Sequence, residues 1–312
     1  MTRVEQLKEL LRHRDARPKN TDAFRWIDGE LPTIAVDLFA NVAVLSTYSE
    51  LEPGDEAKLA ADVGEAGALW GVYLKRRPKE ARRAANESTE KVAPKLPLWG
   101  SEVDAVVVKE CGINFEARPG NGLSVGLYLD ARNARSWVRE RAHGRTVLNL
   151  FSYTCGFGVA ARLGGATRAV NVDLSRKVLD WGMRNLSLND LEAEKRDFIA
   201  GDCFDWLGRF AKKNEVFDLV VLDPPSFASS GKSRFSAQKD YPKLVEKAAK
   251  VVAPGGTMLC CTNLEALDTK GFEAMVRDGL GARRNRVTDL FGASPVDFAQ
   301  PSAFKAVAAT CI

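Results

Sequence analysis

Residues 217–235 read FDLVVLDPPSFASSGKSRF, and they combine a continuous apolar run with an abrupt stop. The run ends at a carboxylate, Asp223, and two residues that cannot extend a strand's hydrogen-bond ladder, Pro224 and Pro225, follow it. Phe227 opens the Ser/Gly/Lys-rich loop behind them. A short segment that is apolar at every position is typical of a strand buried on both faces. We therefore predict a strand of a parallel sheet that is covered by helices.

Strands and helices alternate on both sides of this segment from about residue 129 onward. Four further strands are predicted, at TVLNLF (146–151), TRAVNVD (167–173), RDFIAGD (196–202) and GTMLCCTN (256–263). Helices are predicted to begin near Gly156, to cover residues 175–189 and to include KLVEKAAKVV. This order indicates a Rossmann-like α/β domain with a mostly parallel, doubly wound sheet. Such a sheet binds ligands at the carboxyl ends of its strands.

The region before residue 129 has a different pattern and lacks a nucleotide-binding signature. Residues 2–15 have helical spacing, and a polar linker reaches residue 20. Residues from about 24 to 117 are mostly strand-like, with a hairpin turn at Cys111-Gly112, and residues 76–95 are predicted as exposed loop or short helix. We expect an N-terminal helix and linker (1–20), a small α+β accessory domain (21–128) and the α/β domain (129–312).

The composition is that of an ordinary globular protein and argues against several classes. No apolar run among the 312 residues approaches about eighteen, and the N-terminus lacks an apolar signal core, so neither a membrane span nor export is expected. The six cysteines show no CxxC spacing and there are two histidines, which argues against a metal site, a disulfide framework and a Ser-His triad. The net charge of +4 permits a nucleic-acid partner. A cytoplasmic protein is predicted, and a homodimer is compatible with the sequence.

The loop after the first predicted strand, in NLFSYTCGFGVAA (149–161), carries two glycines, Gly156 and Gly158, that let a ligand approach the backbone closely. Residues 156–161 formally match a dinucleotide-binding pattern, which makes an NAD-dependent oxidoreductase one candidate. Residues 152–155 separate these glycines from the strand end, and that longer loop better suits the amino-acid part of S-adenosylmethionine. Acids stand at three successive strand ends and favour a cationic sulfonium cofactor: Asp173, Asp202 and Asp223. The alternative is a glycine-rich turn that only packs a helix on the sheet.

The opening segment has the residue types of a site that accepts a planar base. Asp223 and the carbonyl of Pro224 offer acceptors for the polar edge of such a base, and Phe227 can stack on its face. With Pro225, which stiffens the backbone, they form the candidate catalytic site. The alternative is a strand-terminating turn with Phe227 in the core.

Several segments occur in the order found in a known family: GLYLDAR (126–132), NLFSYTCGFGVAA, VNVDLS, AGDCFDWL, LDPPSFASSGKS, AQKDY and VVAPGGTML. On these segments the chain resembles the RlmI/RlmK-type class I methyltransferases, which modify bacterial 23S ribosomal RNA. The resemblance covers nearly all of the α/β domain and implies the same fold, S-adenosyl-L-methionine as cofactor and an RNA substrate. The strand-rich region before it is similar to the family's central domain.

The resemblance also implies roles for single residues. Asp173 is implied to hold the ribose, and Asp202 with Cys203 the adenine edge. Residues 223–227 are implied to face the methyl acceptor. The implied cofactor-binding set is Tyr128, Asp130, Arg132, Ser152, Tyr153, Thr154, Gly156, Phe157, Asp173, Leu174, Asp202, Cys203 and Asp223.

The chain departs from this family's pattern at several places. Ser124-Val125 replaces a Lys-Thr pair, Cys155 replaces the second loop glycine, and no PUA-type RNA-binding domain is expected at the front. Members that methylate carbon-5 of cytosine have a nucleophilic cysteine where this chain has Asn263. The nearby Cys260 and Cys261 are strand residues, and such cysteines are usually small buried hydrophobic side chains. Because carbon-5 needs a thiolate whereas a ring nitrogen has its own lone pair, guanine N7 is slightly favoured as the target.

The basic run LKRRPKEARR (74–83) is predicted to position RNA through its phosphates, with a solvated loop as the equal alternative. The candidate RNA-binding set is Lys75, Arg76, Arg77, Lys232 and Arg234. The favoured function is a methyltransferase that acts on a base of ribosomal RNA. An NAD-dependent oxidoreductase and an RNA-binding protein without catalysis are the alternatives.

Overall fold

The computed structural model of the chain describes residues 3–12, 19–77, 89–230, 233–281, 285–291 and 295–311. The chain divides into two compact units, Met1–Leu129 with Pro295–Gln300 and Asp130–Ser294 with Pro301–Ile312. Among the described residues, no helix is both long enough and apolar enough to traverse a lipid bilayer.

The N-terminal unit is built on a five-stranded sheet in the order β1-β2-β3-β4-β5. Its elements are α1 (Arg3–Arg12), β1 (Ala23–Asp28), β2 (Ile34–Phe39), β3 (Val42–Thr47), α2 (Pro53–Gly67), β4 (Gly71–Arg76), α3 (Thr89–Val92), β5 (Trp99–Gly100), β6 (Val106–Glu110) and β7 (Ile113–Ala117). Strands β3 and β4 are parallel and α2 connects them, whereas the other neighbours in this sheet pair antiparallel. The predicted α+β character of this region is confirmed.

Helix α2 lies in a stretch for which the sequence pattern predicts no helix, so it is the main difference in this unit. It begins with Pro53 in its first turn, and acidic residues follow at Asp55 and Glu56. Proline and acids are the residue types that favour a helix N-terminus. One face of the sheet packs on α1 and α2, where Leu7 and Val63 are buried. The helix is therefore stabilised mainly by this packing rather than by an apolar periodicity that stands out in the sequence.

Strands β6 and β7 form the predicted hairpin. Cys111 (φ 51°) and Gly112 (φ 79°) connect Glu110 to its partner Ile113. Two successive left-handed residues are what a two-residue type I′ turn requires. The turn predicted at Cys111-Gly112 is confirmed.

A short segment from the C-terminal part of the chain completes the N-terminal unit. The N–H of Arg25 donates to the Asp297 carboxylate (2.8 Å), and the N–H of Gln300 donates to Asp28 (2.8 Å). The segment Pro295–Gln300 therefore belongs to this unit. Its residues carry no strand or helix pattern that would assign them to one unit or the other.

The C-terminal unit is built on a seven-stranded sheet in the order β10-β9-β8-β11-β14-β16-β15. Its elements are α4 (Arg132–Arg141), β8 (Thr146–Leu150), α5 (Gly156–Leu163), β9 (Arg168–Asp173), α6 (Arg176–Ser187), β10 (Phe198–Ala200), α7 (Cys203–Lys212), β11 (Phe217–Leu222), β12 (Phe227–Ser230), β13 (Ser233–Ser236), α8 (Ala237–Ala248), β14 (Val252–Thr262), α9 (Thr269–Leu280), β15 (Asn285–Phe291) and β16 (Lys305–Cys311). Strands β10, β9, β8, β11 and β14 are parallel to one another. Strand β16 is antiparallel to both of its neighbours, β14 and β15. The mostly parallel, doubly wound sheet is confirmed.

The central strands bury both of their faces. Leu222 and Cys260 join a hydrophobic layer with α7, α8 and α9, whereas Val221 and Cys261 join a layer with α4 and α5. Alternate side chains of a strand point to opposite faces, so a strand enclosed by two layers must be apolar at nearly every position. This requirement explains the continuous apolar run before Asp223.

Several element ends differ from the predicted ones. Strand β11 ends at Leu222, one residue before Asp223, because the prolines behind it cannot pair. Strand β14 begins at Val252 rather than at residue 256, since Val252 pairs with Phe217 across an irregularity in the ladder. Helix α8 covers Ala237–Ala248, so it begins before the predicted KLVEKAAKVV segment and ends within it.

Candidate functional site

The carboxyl ends of β8, β9 and β10 meet at one edge of the sheet, called here the β8–β10 edge (residues 151–155, 173–175 and 201–204). The loop after β8 is left-handed at Phe151 (φ 57°), Tyr153 (φ 47°) and Cys155 (φ 60°). Each such conformation costs a residue with a side chain about 1 kcal/mol or more. Surrounding contacts must therefore hold this loop in place.

Asp173 is the main anchor of this loop. Its Oδ2 accepts a hydrogen bond from the N–H of Tyr153 (2.9 Å), and its Oδ1 accepts one from the N–H of Ser175 (2.9 Å). A carboxylate oxygen can accept more than one hydrogen bond, so both oxygens keep capacity for a ligand. The next residue, Leu174, is 53% exposed at the same strand end.

Asp202 and Cys203 join the other strand ends. Oδ1 of Asp202 caps α7 by accepting from the first backbone N–H groups of the helix (2.8 and 3.2 Å). The Sγ of Cys203 accepts from the N–H of Phe151 (3.3 Å) and donates to the carbonyl of Val172 (3.7 Å). Burial raises the pKa of the Cys203 thiol, so the group stays protonated and able to donate. Asp202 thus also stabilises the start of α7, and Cys203 anchors the loop after β8.

Cys155 occupies a backbone conformation that suits glycine, and Gly182 of α6 makes room for its side chain. A Cβ atom added at Gly182 would lie 2.3 Å from the Sγ of Cys155. Cys155 is fully buried, which raises the pKa of its thiol. The sequence departure at Cys155 is therefore accommodated by a glycine on the neighbouring helix.

Gly158 has a packing role that differs from the expectation of close approach by a ligand. A Cβ atom added there would lie 2.2 Å from Oδ1 of Asn171, a buried residue of β9. The same oxygen accepts a hydrogen bond from the side-chain amide of Asn149 (3.0 Å). The close approach at Gly158 is between helix α5 and strand β9.

Three phenylalanines come together over the β8–β10 edge, and none of the sequence motifs reveals this cluster. Phe235 of β13 stacks on Phe151, with ring centroids 6.1 Å apart, and tilts against Phe204 of α7 at 5.8 Å. The hairpin of β12 and β13 is thereby attached to this edge. Residues so distant in the chain are brought together only by the tertiary fold.

The carboxyl ends of β11 and β14 form the neighbouring part of the site, called here the β11–β14 edge (residues 223–227 and 261–264). Removal of the Asp223 carboxyl group from water raises its pKa to about 7, and nearby Asp130 raises it as well, while Arg135 acts in the opposite direction. Asp130 accepts a hydrogen bond from the Ser302 hydroxyl (3.0 Å). A carboxylate that is unfavourable at neutral pH indicates a site that a positive charge would stabilise.

The segment behind Asp223 presents an aromatic surface. Phe227 is 67% exposed, so the alternative that places it in the core is wrong. Pro224 is buried and Pro225 is exposed beside it. The structure therefore brings all of the predicted acceptor residues to one strand end.

Two cysteines lie in β14 directly below this edge. Cys260 and Cys261 are fully buried, and burial raises the pKa of both thiols. The buried hydroxyl of Tyr241 donates to the carbonyl of Cys261 (2.8 Å) and lies 3.3 Å from that of Leu222. This hydroxyl braces the ends of β11 and β14 just beneath Asp223.

The predicted cofactor-binding residues of the segment 126–132 lie in different places. Tyr128 belongs to the N-terminal unit, where it is 51% exposed and its hydroxyl shares a hydrogen bond with Ser124 (2.6 Å). Asp130 lies near Asp223, whereas Arg132 is buried at the start of α4.

The side chain of Phe157 packs in the layer between α4, α5 and the sheet. Ser152 and Thr154 are buried in the loop after β8. Their contacts with a cofactor stay predictions.

The basic run is folded into the N-terminal unit where the structure describes it. Lys75 is fully buried in β4, where desolvation and then the charge of Arg77 lower its pKa to about 8. Arg76 pairs with Glu56 (2.6 Å), and Arg77 donates to the hydroxyl of Ser46 (3.1 Å). The prediction that Lys75 contacts RNA at the surface is therefore wrong, because it faces the protein interior. Two candidates have side chains outside the described residues: Lys232 and Arg234.

Comparisons with known proteins agree with this geometry. A family model described as S-adenosylmethionine-dependent methyltransferase matches residues 87–279, more than half of the chain. The chain is 36% identical over 313 residues to YwbD of Bacillus subtilis strain 168, with 97% of this chain and 76% of YwbD covered. It is 33% identical over 291 residues to ribosomal RNA large subunit methyltransferase K of Neisseria meningitidis serogroup B strain MC58, with 91% of this chain and 79% of that protein covered.

Similarity to solved structures extends over the whole chain. The crystal structure of SMU.776 complexed with SAH matches with a TM-score of 0.86 at 26% identity, and the match covers 99% of this chain and 82% of that chain. The chain therefore belongs to the S-adenosylmethionine-dependent methyltransferase family that includes ribosomal RNA large subunit methyltransferase K.

Proposed function

We propose that the protein transfers the methyl group of S-adenosylmethionine to a ring nitrogen of a base in ribosomal RNA, with guanine N7 as the favoured atom. Membership of the methyltransferase family supports the methyl donor and argues against a nicotinamide cofactor on the same fold. The name of the relative from N. meningitidis supports ribosomal RNA as the acceptor. The choice of a ring nitrogen rests on the β11–β14 edge.

The hydrogen-bond acceptors and the exposed apolar side chain of the β8–β10 edge fit S-adenosylmethionine. Asp173 would hold the ribose hydroxyls with the acceptor capacity that its two backbone contacts leave open. Asp202 would accept from the adenine amino group through Oδ2, since both of its capping bonds use Oδ1. Leu174, 53% exposed beside Asp173, would cover an apolar face of the nucleoside. Asp223, with its raised pKa, is the carboxylate that a sulfonium charge would stabilise.

The burial of Cys260 and Cys261 is the observation that carries the choice of a ring nitrogen. Methylation at carbon-5 of a pyrimidine requires a thiolate that adds to the ring. A thiol with a raised pKa inside a packed layer is neither ionised nor able to reach a base. A ring nitrogen needs no such nucleophile, because its lone pair attacks the methyl group directly.

The residues of the β11–β14 edge have the properties that this transfer needs. S-adenosylmethionine supplies an electrophilic methyl group on a positively charged sulfur, and the positive charge passes to the base when the nitrogen takes that group. Asp223 would stabilise the charge that develops on the base. Phe227 would stack on its face, and the adjoining prolines would keep the segment rigid. A base inside folded RNA would have to leave its stack to reach this edge.

Mass spectrometry of ribosomal RNA nucleosides tests this proposal in cells with and without the gene. The expected result is one methylated base that disappears without the gene and returns when the gene is restored. Purified protein with labelled S-adenosylmethionine should then methylate ribosomal RNA from the deficient cells and not RNA from the complemented cells. Binding of S-adenosylmethionine without any transfer to RNA would favour the non-catalytic alternative. Transfer only to a protein or a small molecule would overturn the choice of acceptor.

A further inference from the structure

Asn263 is the first residue after β14, and its side chain is held in one orientation. The hydroxyl of Ser226 donates to Oδ1 of Asn263 at 2.5 Å. Ser226 lies between Pro225 and Phe227, so this bond links the end of β14 to the segment behind Asp223. Asn263 is exposed, whereas Ser226 is half-buried.

The backbone after Asn263 is fixed as well. The N–H of Leu264 donates to the hydroxyl of Thr262, a buried residue, at 3.3 Å. The ammonium group of Lys305 donates to the carbonyls of Leu264 (3.0 Å) and Ala303 (2.8 Å). Because the main chain after Asn263 is tied down, the amide can move mainly by rotation of its side chain, and the bond from Ser226 restrains that rotation.

The register of the sheet brings this amide to the acceptor residues. Leu222 pairs with Cys260 in the parallel ladder, so Asp223 and Cys261 are the next residues on the two strands. Tyr241 braces the same pair of strands from below. The bond from Ser226 then attaches the Asn263 amide to the segment that carries Asp223 and Phe227.

The orientation of the amide determines what it offers to a ligand. With Oδ1 occupied by the Ser226 hydroxyl, the Nδ2 group carries two N–H donors and has no hydrogen-bond partner among the described residues. A fixed donor next to a base favours a carbonyl oxygen and disfavours an amino group, which would leave both donors unpaired.

We infer that Asn263 is a specificity-determining residue that selects a base with a carbonyl oxygen next to the methyl-accepting atom. The inference rests on the proposed methyl transfer to a base of ribosomal RNA. On the exposed edge of guanine, N7 stands next to the O6 acceptor, whereas N7 of adenine stands next to an amino group. The amino group of cytosine likewise adjoins its carbon-5. The donor of Asn263 therefore accepts guanine and rejects adenine and cytosine.

Uracil is the other base whose edge carries a carbonyl oxygen, O4, beside a candidate carbon. Carbon-5 of uracil requires the thiolate that the buried Cys260 and Cys261 do not provide. The Asn263 amide therefore disfavours adenine and cytosine, and the burial of the two cysteines independently excludes carbon-5 of uracil. Among the methyl-accepting atoms on the major-groove edges of the bases, guanine N7 satisfies both arguments.

The isosteric substitution Asn263→Asp tests this inference. It keeps an oxygen for the Ser226 hydroxyl and replaces the N–H donors by a second acceptor. We expect transfer to ribosomal RNA from deficient cells to fall about ten- to hundredfold, the range for loss of one base-recognition contact. Binding of S-adenosylmethionine by calorimetry and the melting temperature should both stay at the wild-type values. Asn41→Asp, which adds the same charge at an exposed residue of the N-terminal unit, should keep full activity.

Two further variants separate recognition from charge repulsion. Asn263→Ala removes the donor without adding charge and should lose a similar factor. Ser226→Ala leaves the amide free to rotate and should lose less, with a larger share of methyl groups found on adenine by nucleoside mass spectrometry. Should Asn263→Asp fail to fold, the neutral variant answers the same question.

The outcomes keep the two proposals apart. A wild-type protein that methylates no ribosomal RNA base overturns the proposed function itself. A wild-type protein that methylates adenine or cytosine overturns the inference on Asn263 and leaves methyl transfer to ribosomal RNA intact. The same conclusion follows if Asn263→Asp and Asn263→Ala both transfer methyl groups to guanine at the wild-type rate.

Discussion

The two edges of the same sheet use their polar residues differently. At the β8–β10 edge, the side chains of Asp173, Asp202 and Cys203 all accept hydrogen bonds from backbone N–H groups. At the β11–β14 edge, Asp223 has a raised pKa and Phe227 is 67% exposed. The first edge is organised by the protein's own contacts, whereas the second presents groups that a charged and planar ligand would stabilise.

This difference teaches where stability and activity are coupled. Asp173 holds a loop with left-handed residues and, in the proposed function, also binds the cofactor, so it would contribute to folding and to ligand binding at the same time. The desolvated carboxylate of Asp223 lowers the stability of the free protein at neutral pH, and it would become favourable only when a positively charged ligand binds. Functional sites commonly give up stability for activity in this way. Substitutions at the two edges should therefore have opposite effects on the free energy of unfolding.

The largest effect is expected for Asp223→Asn at the β11–β14 edge. The variant keeps the shape of the side chain and loses the charge that would stabilise the methylated base. We expect kcat/KM for methyl transfer to fall by about a hundredfold or more, as for loss of one electrostatic contact to a transition state. Labelled S-adenosylmethionine and ribosomal RNA measure this rate. A rate within a factor of two of wild type would remove Asp223 from the proposed site.

The same variant tests the pKa of Asp223. The folded-state pKa of about 7 lies above the ordinary value of 3.8, so the folded protein holds this proton more tightly than the unfolded chain. The stability contributed by this group is therefore fully present below pH 3.8 and is lost as pH rises from there to about 7. In urea denaturation, Asp223→Asn should therefore exceed wild type in stability by a clearly larger margin at pH 8 than at pH 5. An equal difference at both pH values would contradict the raised pKa.

A large effect of the opposite sign is expected for Asp173→Ala at the β8–β10 edge. The variant loses two hydrogen bonds from a carboxylate to backbone N–H groups. We expect the free energy of unfolding to fall by about 3 kcal/mol, together with weaker binding of S-adenosylmethionine in calorimetry. Asp278→Ala, at an exposed position of α9, is the matched control and should change neither quantity. Weaker binding without any loss of stability would show that Asp173 acts on the ligand alone.

A smaller effect is expected for Gly182→Ala, which tests how the β8–β10 edge accommodates Cys155. The added methyl group would lie 2.3 Å from the Sγ of Cys155, so the variant should lose about 1–3 kcal/mol through overpacking. Cys155→Gly removes the obstructing sulfur and suits the left-handed backbone, so the double variant should recover most of this loss. Urea denaturation of the four proteins measures the coupling. Strictly additive effects would show that the two positions do not interact.

The smallest effect is expected for Tyr241→Phe beneath the β11–β14 edge. Loss of the hydrogen bond to the Cys261 carbonyl (2.8 Å) should reduce the free energy of unfolding by about 1 kcal/mol. The rate of methyl transfer should fall as well, because this hydroxyl braces the strands that carry Asp223 and Asn263. The control is Tyr48→Phe at a partly exposed residue of the N-terminal unit, which should change neither value. Unchanged stability in Tyr241→Phe would mean that the brace is dispensable.

The strand ends of the C-terminal unit could be predicted because their causes are local. An apolar run of strand length must be enclosed on both faces, and Pro224 and Pro225 cannot pair, so the position of Asp223 follows from a few neighbouring residues. The hairpin turn at Cys111-Gly112 follows from equally local backbone chemistry. Helix α2 could not be predicted in this way, because its packing against the N-terminal sheet outweighs a weak periodicity.

The basic run shows where composition misleads. Lys75, Arg76 and Arg77 are consecutive charges, and such a run is usually solvated. In a strand, however, alternate residues point to opposite faces, and Lys75 faces the interior of the N-terminal unit while Arg76 pairs with Glu56. Glu56, the partner of Arg76, is distant in the chain, so the local run of basic residues does not reveal this pairing.

The sequence by itself determined the alternation of strands and helices, the acids at the strand ends and the proline stop after Asp223, because each depends on residues that are adjacent or periodic in the chain. Only the tertiary structure decided that Phe235 stacks on Phe151, that Gly182 makes room for Cys155, and that Ser226 orients Asn263. These contacts join side chains from separate elements. Their formation depends on the register of β11 with β14 and on the packing of helices against the sheet, which no local pattern specifies.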